Sequence, residues 1–239
     1  MLDVLFRSYD TIIFFDTETT GFDSVSAGDQ IIELAAIACS EGQETSSFDD
    51  FVSLFGDWMI QGIPQKIIDL TGIDDTILLN EGVDEEVALG HFMELFGGKT
   101  LLVAYNAQFD LIFLAHALVR HREKHPDWLR AFNKADYLDP CTVHRDRARA
   151  AKSHKLESAI EYFNLTDRVV NSHRAVDDAR ALMEVTQCLE AEDADIEFYI
   201  NRFGWVKEPP KHPLKKVSYY DMTPWHNLPM DKVYARTNR

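Results

Sequence analysis

The sequence predicts an α/β fold, a mixed β-sheet with helices on its faces, followed by a C-terminal extension. Three observations support this prediction. The first 55 residues hold three strand-like segments, with Gly42 marking a hairpin between the second and the third. Helical segments then alternate with short strand-like ones, a pattern typical of helices packed on a sheet. From about residue 194 the chain becomes basic and rich in proline and aromatic residues. We therefore divide it into a domain, 1–193, and an extension, 194–239.

Each predicted strand is an apolar, β-prone run that ends at turn residues. The first begins at Ile12 and continues through two phenylalanines to two acids, Asp16 and Glu18, before Gly21 allows the chain to turn. The later strands are predicted over residues 31–38, 48–55, 100–105 and 137–139. Two acids at the end of an otherwise apolar strand make this stretch the first candidate for a functional site.

The predicted helices show apolar residues at helical spacing, with start and stop signals at their ends. The first is opened by Pro64 and closed at Gly72, and the second ends at Gly97 and Gly98. In order, the predicted helices cover about residues 64–70, 83–96, 111–125, 141–151, 156–163, 175–189 and 195–203.

Composition is ordinary for a globular protein, with 46% hydrophobic and 27% charged residues. No run approaches the roughly 18 consecutive apolar residues of a membrane-spanning helix. The first residues lack the basic and apolar regions of a secretory signal. The cysteines, Cys39, Cys141 and Cys188, are scattered and odd in number, which predicts reduced thiols and neither a disulfide framework nor a zinc site. We therefore expect a cytoplasmic protein without membrane contact.

The formal net charge of −16 argues against a nucleic acid as partner, but its distribution weakens that argument. Residues 202–239 carry eight Lys or Arg against three Asp or Glu, so the rest of the chain carries −21. Within this acidic body lies a basic stretch, residues 145–155, with Arg145, Arg147, Arg149, Lys152 and Lys155. A solvated helix face would explain it, but a role in guiding phosphates is favoured because the stretch leads towards His173.

Three groups of polar residues sit where strands and helices meet. Asp16 and Glu18 alternate along a strand, so both side chains leave the sheet on one face. Asp110 stands at a strand-to-helix junction, where helix capping is the simpler explanation for a single acid. His173 and Asp178 can converge only if His173 lies in the loop entering the last long helix and Asp178 on the helix itself. Taken alone, each group also fits an ordinary surface role.

Taken together, Asp16, Glu18, Asp110 and Asp178 would repel one another unless cations bound them. Ligation by oxygen alone suits Mg²⁺ or Mn²⁺ rather than zinc. Two such ions can hold the attacking and the leaving oxygen of a phosphoryl displacement. A histidine on the entering loop can accept a proton from the attacking water.

These three stretches, in this order, resemble the Exo I, II and III motifs of the DEDDh 3′→5′ exonucleases. The resemblance spans roughly residues 11–190 and is greatest to the epsilon proofreading subunit of DNA polymerase III and the exonuclease domain of polymerase C-type replicases. The stretches 31–35 and 70–73 also recur in that group.

The resemblance implies a ribonuclease H-like fold and a role for each motif residue. Asp16 corresponds to the ligand that bridges two metal ions, and Glu18, Asp110 and Asp178 to the other acidic ligands. His173 corresponds to the general base, and Asp177 is an extra acid that the motif does not require. The residues expected near the terminal nucleotide are Thr17, Thr19, Phe22 and Asn106.

The predicted function is therefore a 3′→5′ exonuclease with two Mg²⁺ ions, for which Mn²⁺ would substitute. It would release nucleoside 5′-monophosphates from single-stranded or frayed 3′ ends of DNA, in proofreading or repair. Two alternatives remain open. In the first, the substrate is RNA, as in the ribonuclease T and oligoribonuclease relatives. In the second, the protein serves chiefly as a polymerase-associated subunit that docks through residues 194–239.

Overall fold

A five-stranded mixed sheet forms the centre of the protein. The structure, a computed structural model, describes residues 2–24, 27–148, 150–170, 172–192, 194–203 and 215–216. The sheet has the order β3-β2-β1-β4-β5, in which β1 to β3 are antiparallel neighbours and β4 and β5 continue the sheet in parallel with β1. The strands are β1 (Thr11–Thr19), β2 (Ile31–Ser40), β3 (Gln43–Phe51), β4 (Thr100–Val103) and β5 (Asp136–Leu138).

Helices cover both faces of the sheet, which confirms the predicted α/β class. They are α1 (Trp58–Gln61), α2 (Gln65–Thr71), α3 (Asp75–Glu81), α4 (Glu85–Glu94), α5 (Gln108–Arg120), α6 (Pro126–Lys134), α7 (Pro140–Arg147), α8 (Leu156–Tyr162) and α9 (Ala175–Glu192). Short 3₁₀ helices cover Leu5–Arg7 and Ala194–Tyr199, and Arg202–Phe203 pairs with Lys215–Lys216. No helix among the described residues is long and apolar enough to cross a membrane.

The alternation of β1 explains the two cores. Ile13 and Phe15 belong to a buried cluster that includes residues of α4 and α5, whereas Ile12 and Phe14 belong to a second cluster with residues of α8 and α9. All four side chains are fully buried. Because successive strand residues point to opposite faces, one apolar run supplies both layers. The first strand is therefore buried on both sides up to Phe15, the residue before Asp16.

Several predicted boundaries differ from the observed ones. The third strand begins at Gln43 rather than residue 48, because Glu41 and Gly42, both with positive φ, make a tight hairpin directly after β2. The helix predicted over 111–125 ends at Arg120, and a separate α6 begins at Pro126, since proline suits the first turn of a helix and not its interior. The helix predicted over 141–151 ends at Arg147.

Besides α6, two short helices were not predicted at all. These are α1 and α3, whose four and seven residues are too few to show a helical period. The helix predicted over 195–203 is a 3₁₀ helix, Ala194–Tyr199, followed by a strand residue, Arg202.

The start of the predicted extension packs against the domain. Ile196 and Tyr199 are buried in the same cluster as Leu189, and the Tyr199 hydroxyl donates to Asp146 at 2.7 Å. The aromatic residues of the predicted basic tail, Tyr219, Tyr220 and Trp225, lie outside the described residues. The boundary at residues 193 and 194 therefore stays a prediction.

Candidate active site

The first two acids lie at the carboxyl end of β1. Asp16 and Glu18 are partly buried and pair across the antiparallel ladder with Ala35 and Glu33 of β2. The ladder shifts register between Glu18 and Thr19, so the strand ends in an irregularity directly after the second acid. Alternation along β1 therefore presents both carboxylates on one face of the sheet, as the sequence predicts.

Asp110 reaches this edge from the neighbouring strand. Since β1 and β4 are parallel with Phe14 opposite Val103, the turn after β4 leads to the same end of the sheet as Asp16. Asp110 lies in the first turn of α5 and is 3% exposed. Its Oδ1 accepts hydrogen bonds from the Thr17 backbone N–H at 3.1 Å and from the Thr17 hydroxyl at 2.7 Å. These two bonds tie the second motif directly to the first.

The third motif lies at the start of α9. His173 is exposed, precedes the helix and has a φ of 54°, in the left-handed region. Asp178 lies in the first turn of α9 and is buried. Glu18, His173 and Asp178 each offer a ligand atom, and these atoms all lie within 4.8 Å of one another. Loop and helix thus bring together two residues that one continuous helix would place on different faces.

Burial raises the pKa of each of the four carboxyl groups, and nearby acids add to the shift. Burial raises the pKa of Asp16 well above its usual range, and the charges of Asp110, Asp178 and Glu18 raise it further. Burial, followed by the charge of Asp178, raises the pKa of Glu18 to about 8. Burial likewise raises the pKa of Asp110 and that of Asp178, each to about 7. Without a cation, this cluster therefore resists full ionisation.

The donor set fits divalent cations. Among the described residues, Oδ1 of Asp178 is buried and has no hydrogen-bond partner. An anionic oxygen without a partner is costly in a protein interior, and a bound cation would remove that cost. Carboxylate oxygens suit Mg²⁺ or Mn²⁺. Asp177 differs from its neighbour, because its carboxylate accepts a hydrogen bond from the Ser172 hydroxyl at 2.6 Å.

The predicted nucleotide-binding residues occupy different environments. Phe22 is 64% exposed, its ring centroid lies 6.2 Å from that of Phe109, and the Lys66 ammonium lies 5.9 Å from the ring centre. Asn106 has a φ of 62°, and its N–H donates to Asp139. The other two are buried: Thr17 holds Asp110, and the Thr19 hydroxyl donates to the Gly21 carbonyl at 2.6 Å. Their contacts with a nucleotide stay predictions.

The basic stretch divides into two parts. Arg147 packs inwards, because its guanidinium donates to the Leu189 carbonyl and lies against the Tyr199 ring. Lys152 and Lys155 are exposed, and the Tyr105 hydroxyl donates to the Lys155 carbonyl at 3.3 Å. Tyr105 directly precedes Asn106, so Lys155, and not Arg147, lies towards the end of the sheet that holds the acids.

The sequence analysis gave no role to three residues that support the site, Asp139, Glu33 and Arg174. Asp139, which is 3% exposed, accepts from Asn106 N–H at 2.9 Å and so holds the turn that leads to Asp110. Glu33 is fully buried and binds Arg174 and the Ala175 N–H. An acid inside the apolar segment 31–35 was a visible signal, but its partner lies 141 residues away.

Comparison with known proteins identifies the family. The profile of the RNase_T family, described as an exonuclease, matches residues 13–186. The chain belongs to this exonuclease family. Its membership confirms the enzyme class predicted from the sequence, a 3′→5′ exonuclease that hydrolyses phosphodiester bonds.

Individual relatives agree with this assignment. The chain is 35% identical over 176 residues to the PolC-type DNA polymerase III of Clostridium perfringens. The aligned region covers 74% of this chain but 11% of that polymerase. It is 32% identical over 167 residues to the 3′-5′ exonuclease DinG of Bacillus subtilis, covering 70% of this chain and 16% of that protein. The chain thus spans about a tenth of the length of the polymerase relative.

Solved structures confirm the fold. E. coli exonuclease I in complex with a dT13 oligonucleotide superposes with a TM-score of 0.66 at 19% identity, covering 80% of this chain and 43% of that one. The predicted ribonuclease H-like arrangement, a mixed sheet flanked by helices, is therefore confirmed.

Proposed function

We propose that this exonuclease removes nucleotides from the 3′ ends of DNA with the help of two divalent cations, Mg²⁺ in the first place and Mn²⁺ as a substitute. The observation that carries the proposal is the convergence of Glu18, His173 and Asp178, whose ligand atoms lie within 4.8 Å of one another. Within this group, the buried Oδ1 of Asp178 has no hydrogen-bond partner. Asp16 and Asp110 complete the set of ligands. DNA is favoured because one relative is a DNA polymerase by name and exonuclease I was solved with a DNA oligonucleotide.

His173 acts as general base in this proposal. It is exposed on the loop entering α9, where a ring nitrogen can accept a proton from water. The water oxygen then bonds to the terminal phosphorus, the bond to the 3′ oxygen of the preceding nucleotide breaks, and that oxygen takes up a proton. The products are a nucleoside 5′-monophosphate and a shortened strand. Cations held by the four carboxylates would supply charge stabilisation for the phosphate oxygens.

Phe22 provides an exposed ring for the terminal base. Its position beside Phe109, the residue before Asp110, places it next to the second motif, and Lys66 beside the ring can meet a phosphate. Stacking on an aromatic ring accepts any base, as an exonuclease that degrades different sequences requires.

The proposal has three broader parts: a role in proofreading or repair, a cytoplasmic location, and a polymerase bound through residues 194–239.

A cleavage assay tests the proposal directly. Single-stranded, mismatched and 3′-recessed DNA, together with RNA of the same sequence, are incubated with Mg²⁺, with Mn²⁺ or with chelator. We expect stepwise release of single nucleotides from DNA 3′ ends only when a divalent cation is present. Asp16→Ala should abolish turnover, whereas Asp127→Ala, which removes a highly exposed acid on α6, should not.

The outcomes separate the alternatives. Degradation of RNA alone would keep the site and reject DNA as the substrate. More than a few per cent of wild-type activity in Asp16→Ala would reject the metal site. Absence of cleavage under all conditions would reject the proposed activity and favour a role as a polymerase-associated subunit.

A further inference from the structure

Glu33 is a charged residue placed where a sheet normally has an apolar one. It lies in β2, opposite Glu18 in the antiparallel ladder, and its side chain is fully buried. A buried carboxylate is costly unless it is paired and hydrogen-bonded. The proposed metal ligands do not include it, so its retention in the core requires another explanation.

Besides Asp49 on the neighbouring strand β3, with which Glu33 shares a side-chain hydrogen bond, the partners of Glu33 lie at the entrance of α9. Oε1 accepts from Arg174 Nε at 2.7 Å, and the second guanidinium nitrogen, Nη2, lies at the same distance from it. Oε2 accepts from the backbone N–H of Ala175, the first residue of the helix, at 2.9 Å. One carboxylate thus binds the side chain of one residue and the main chain of the next.

Arg174 is held from a second side by β3. Its guanidinium lies 4.7 Å from the centre of the Phe51 ring and 3.8 Å from the carboxylate of Asp49. The planar guanidinium can meet a carboxylate with two nitrogens and an aromatic face at the same time, which an ammonium cannot. Neighbouring strands β2 and β3 therefore fix the position of this one side chain.

The held residues adjoin two members of the candidate site. His173 directly precedes Arg174 and has left-handed backbone angles, which persist only where surrounding contacts enforce them. Asp178 follows Ala175 by three residues, within the first turn of α9. The contacts of Glu33 therefore set where the helix starts, and with it the positions of the histidine before that start and the aspartate after it.

We infer that Glu33 is a positioning residue, which through Arg174 and the Ala175 amide holds His173 and Asp178 in place for catalysis. This inference rests on the proposed function, in which His173 is the general base and Asp178 a metal ligand. Glu33 itself touches neither substrate nor reacting atoms.

Glu190 provides a matched control. It is also a buried glutamate, 7% exposed, and its carboxylate accepts from two backbone N–H groups, those of Val4 and Leu5, at 3.1 and 3.0 Å. It lies twelve residues beyond Asp178 on α9, which places it roughly 18 Å further along the helix. Glu33→Gln and Glu190→Gln therefore each remove the charge of a buried carboxylate that accepts backbone N–H groups, one near the site and one far from it, and only Glu33 also pairs with an arginine.

Two measurements test the inference. The first is the measurement of kcat and KM on single-stranded DNA for Glu33→Gln and for Glu190→Gln. The same constants are measured for His173→Ala and for the double variant Glu33→Gln with His173→Ala. We expect Glu33→Gln to lower kcat by roughly 10- to 100-fold with little change in KM, as outer-sphere substitutions do, and Glu190→Gln to leave kcat unchanged. In the His173→Ala background the further loss from Glu33→Gln should be much smaller, because two residues that act through one another are not additive.

The second measurement is hydrogen exchange of residues 172–178, which does not depend on activity. This segment should exchange faster in Glu33→Gln than in wild type and be unchanged in Glu190→Gln. Arg174→Lys, at a partly exposed position, keeps the charge but loses the guanidinium fork, and should show the same effects at smaller size. It replaces Glu33→Gln if that variant does not fold.

The inference is overturned if Glu33→Gln and Glu190→Gln match in kcat and in exchange, or if the loss in kcat is equally large with and without His173. Failure of wild type to cleave any substrate would instead reject the proposed function. In that case the exchange of residues 172–178 still decides whether Glu33 holds the entrance of α9.

Discussion

Replacing Asp178 by Asn should make the protein more stable in the absence of divalent cations. Burial raises the pKa of this carboxyl group from 3.8 to about 7. The folded protein therefore binds more protons than the unfolded chain between about pH 4 and pH 7, so its stability falls as the pH rises through that window. Asparagine has a similar shape and no charge to bury, which removes the penalty.

The size of the effect follows from the same shift. The gap between 3.8 and about 7 corresponds to about 4 kcal/mol at 1.36 kcal/mol for each tenfold change in proton affinity. Relaxation around the charged group reduces this figure, so we expect Asp178→Asn to raise the free energy of unfolding by about 2–4 kcal/mol at pH 8. At pH 4 the two proteins should be nearly equal in stability, because the carboxyl group is then largely protonated in the folded state.

Urea unfolding at pH 8 and pH 4, with chelator and with Mn²⁺, measures these quantities. A cation that binds only the folded protein stabilises it, by about 2.7 kcal/mol at a concentration of 100 times Kd. Mn²⁺ should therefore stabilise wild type strongly and Asp178→Asn weakly. Asp177→Asn is the control, since the Asp177 carboxylate already has the Ser172 hydroxyl as partner.

The reasoning would be refuted by either of two results. One is an Asp178→Asn variant that is less stable than wild type at pH 8 in chelator. The other is equal stabilisation of both proteins by Mn²⁺, which would show that Asp178 does not contribute to cation binding. Loss of the Mn²⁺ response in Asp177→Asn would transfer the ligand role to the neighbouring acid.

Two further predictions concern single side chains. Phe22→Ala should raise KM for single-stranded DNA about 5- to 150-fold, the equivalent of about 1–3 kcal/mol of base stacking. Its melting temperature should be unchanged because the ring is 64% exposed. Phe198→Ala is the control, and equal KM values in the two variants would reject the stacking role. Burial lowers the pKa of His144 to about 4, so the unfolded chain binds its proton first as the pH falls from about 6.5 to 4 and stability is lost in that window. The free energy of unfolding, measured with urea at pH 7 and at pH 4.5, should change less between these pH values in His144→Leu than in wild type, by on the order of 2 kcal/mol. An unchanged difference would contradict the prediction.

The acids of the candidate site could be proposed from the sequence because their signals are local. The alternation of Asp16 and Glu18 along a strand needs only the geometry of an extended chain, and the division between His173 and Asp178 needs only the period of a helix. Gly72 likewise ends α2 with the positive φ that its sequence position indicates. Boundaries were less predictable where a helix was short, as in α1 and α3, since four to seven residues do not complete a period that can be recognised.

Periodicity, caps and motif spacing are properties of neighbouring residues, so the sequence alone predicts the fold class and the acids of the candidate site. The enzyme family follows from the resemblance of the three motifs to known exonucleases. The contacts that hold the motifs together, in contrast, appear only in the folded protein. The bond from Thr17 to Asp110 joins residues 93 apart, and that from Arg174 to Glu33 joins residues 141 apart. Such contacts depend on strand order and register, which bring the ends of β1 and β4 and the start of α9 to one edge of the sheet. No local pattern in the chain specifies these distances.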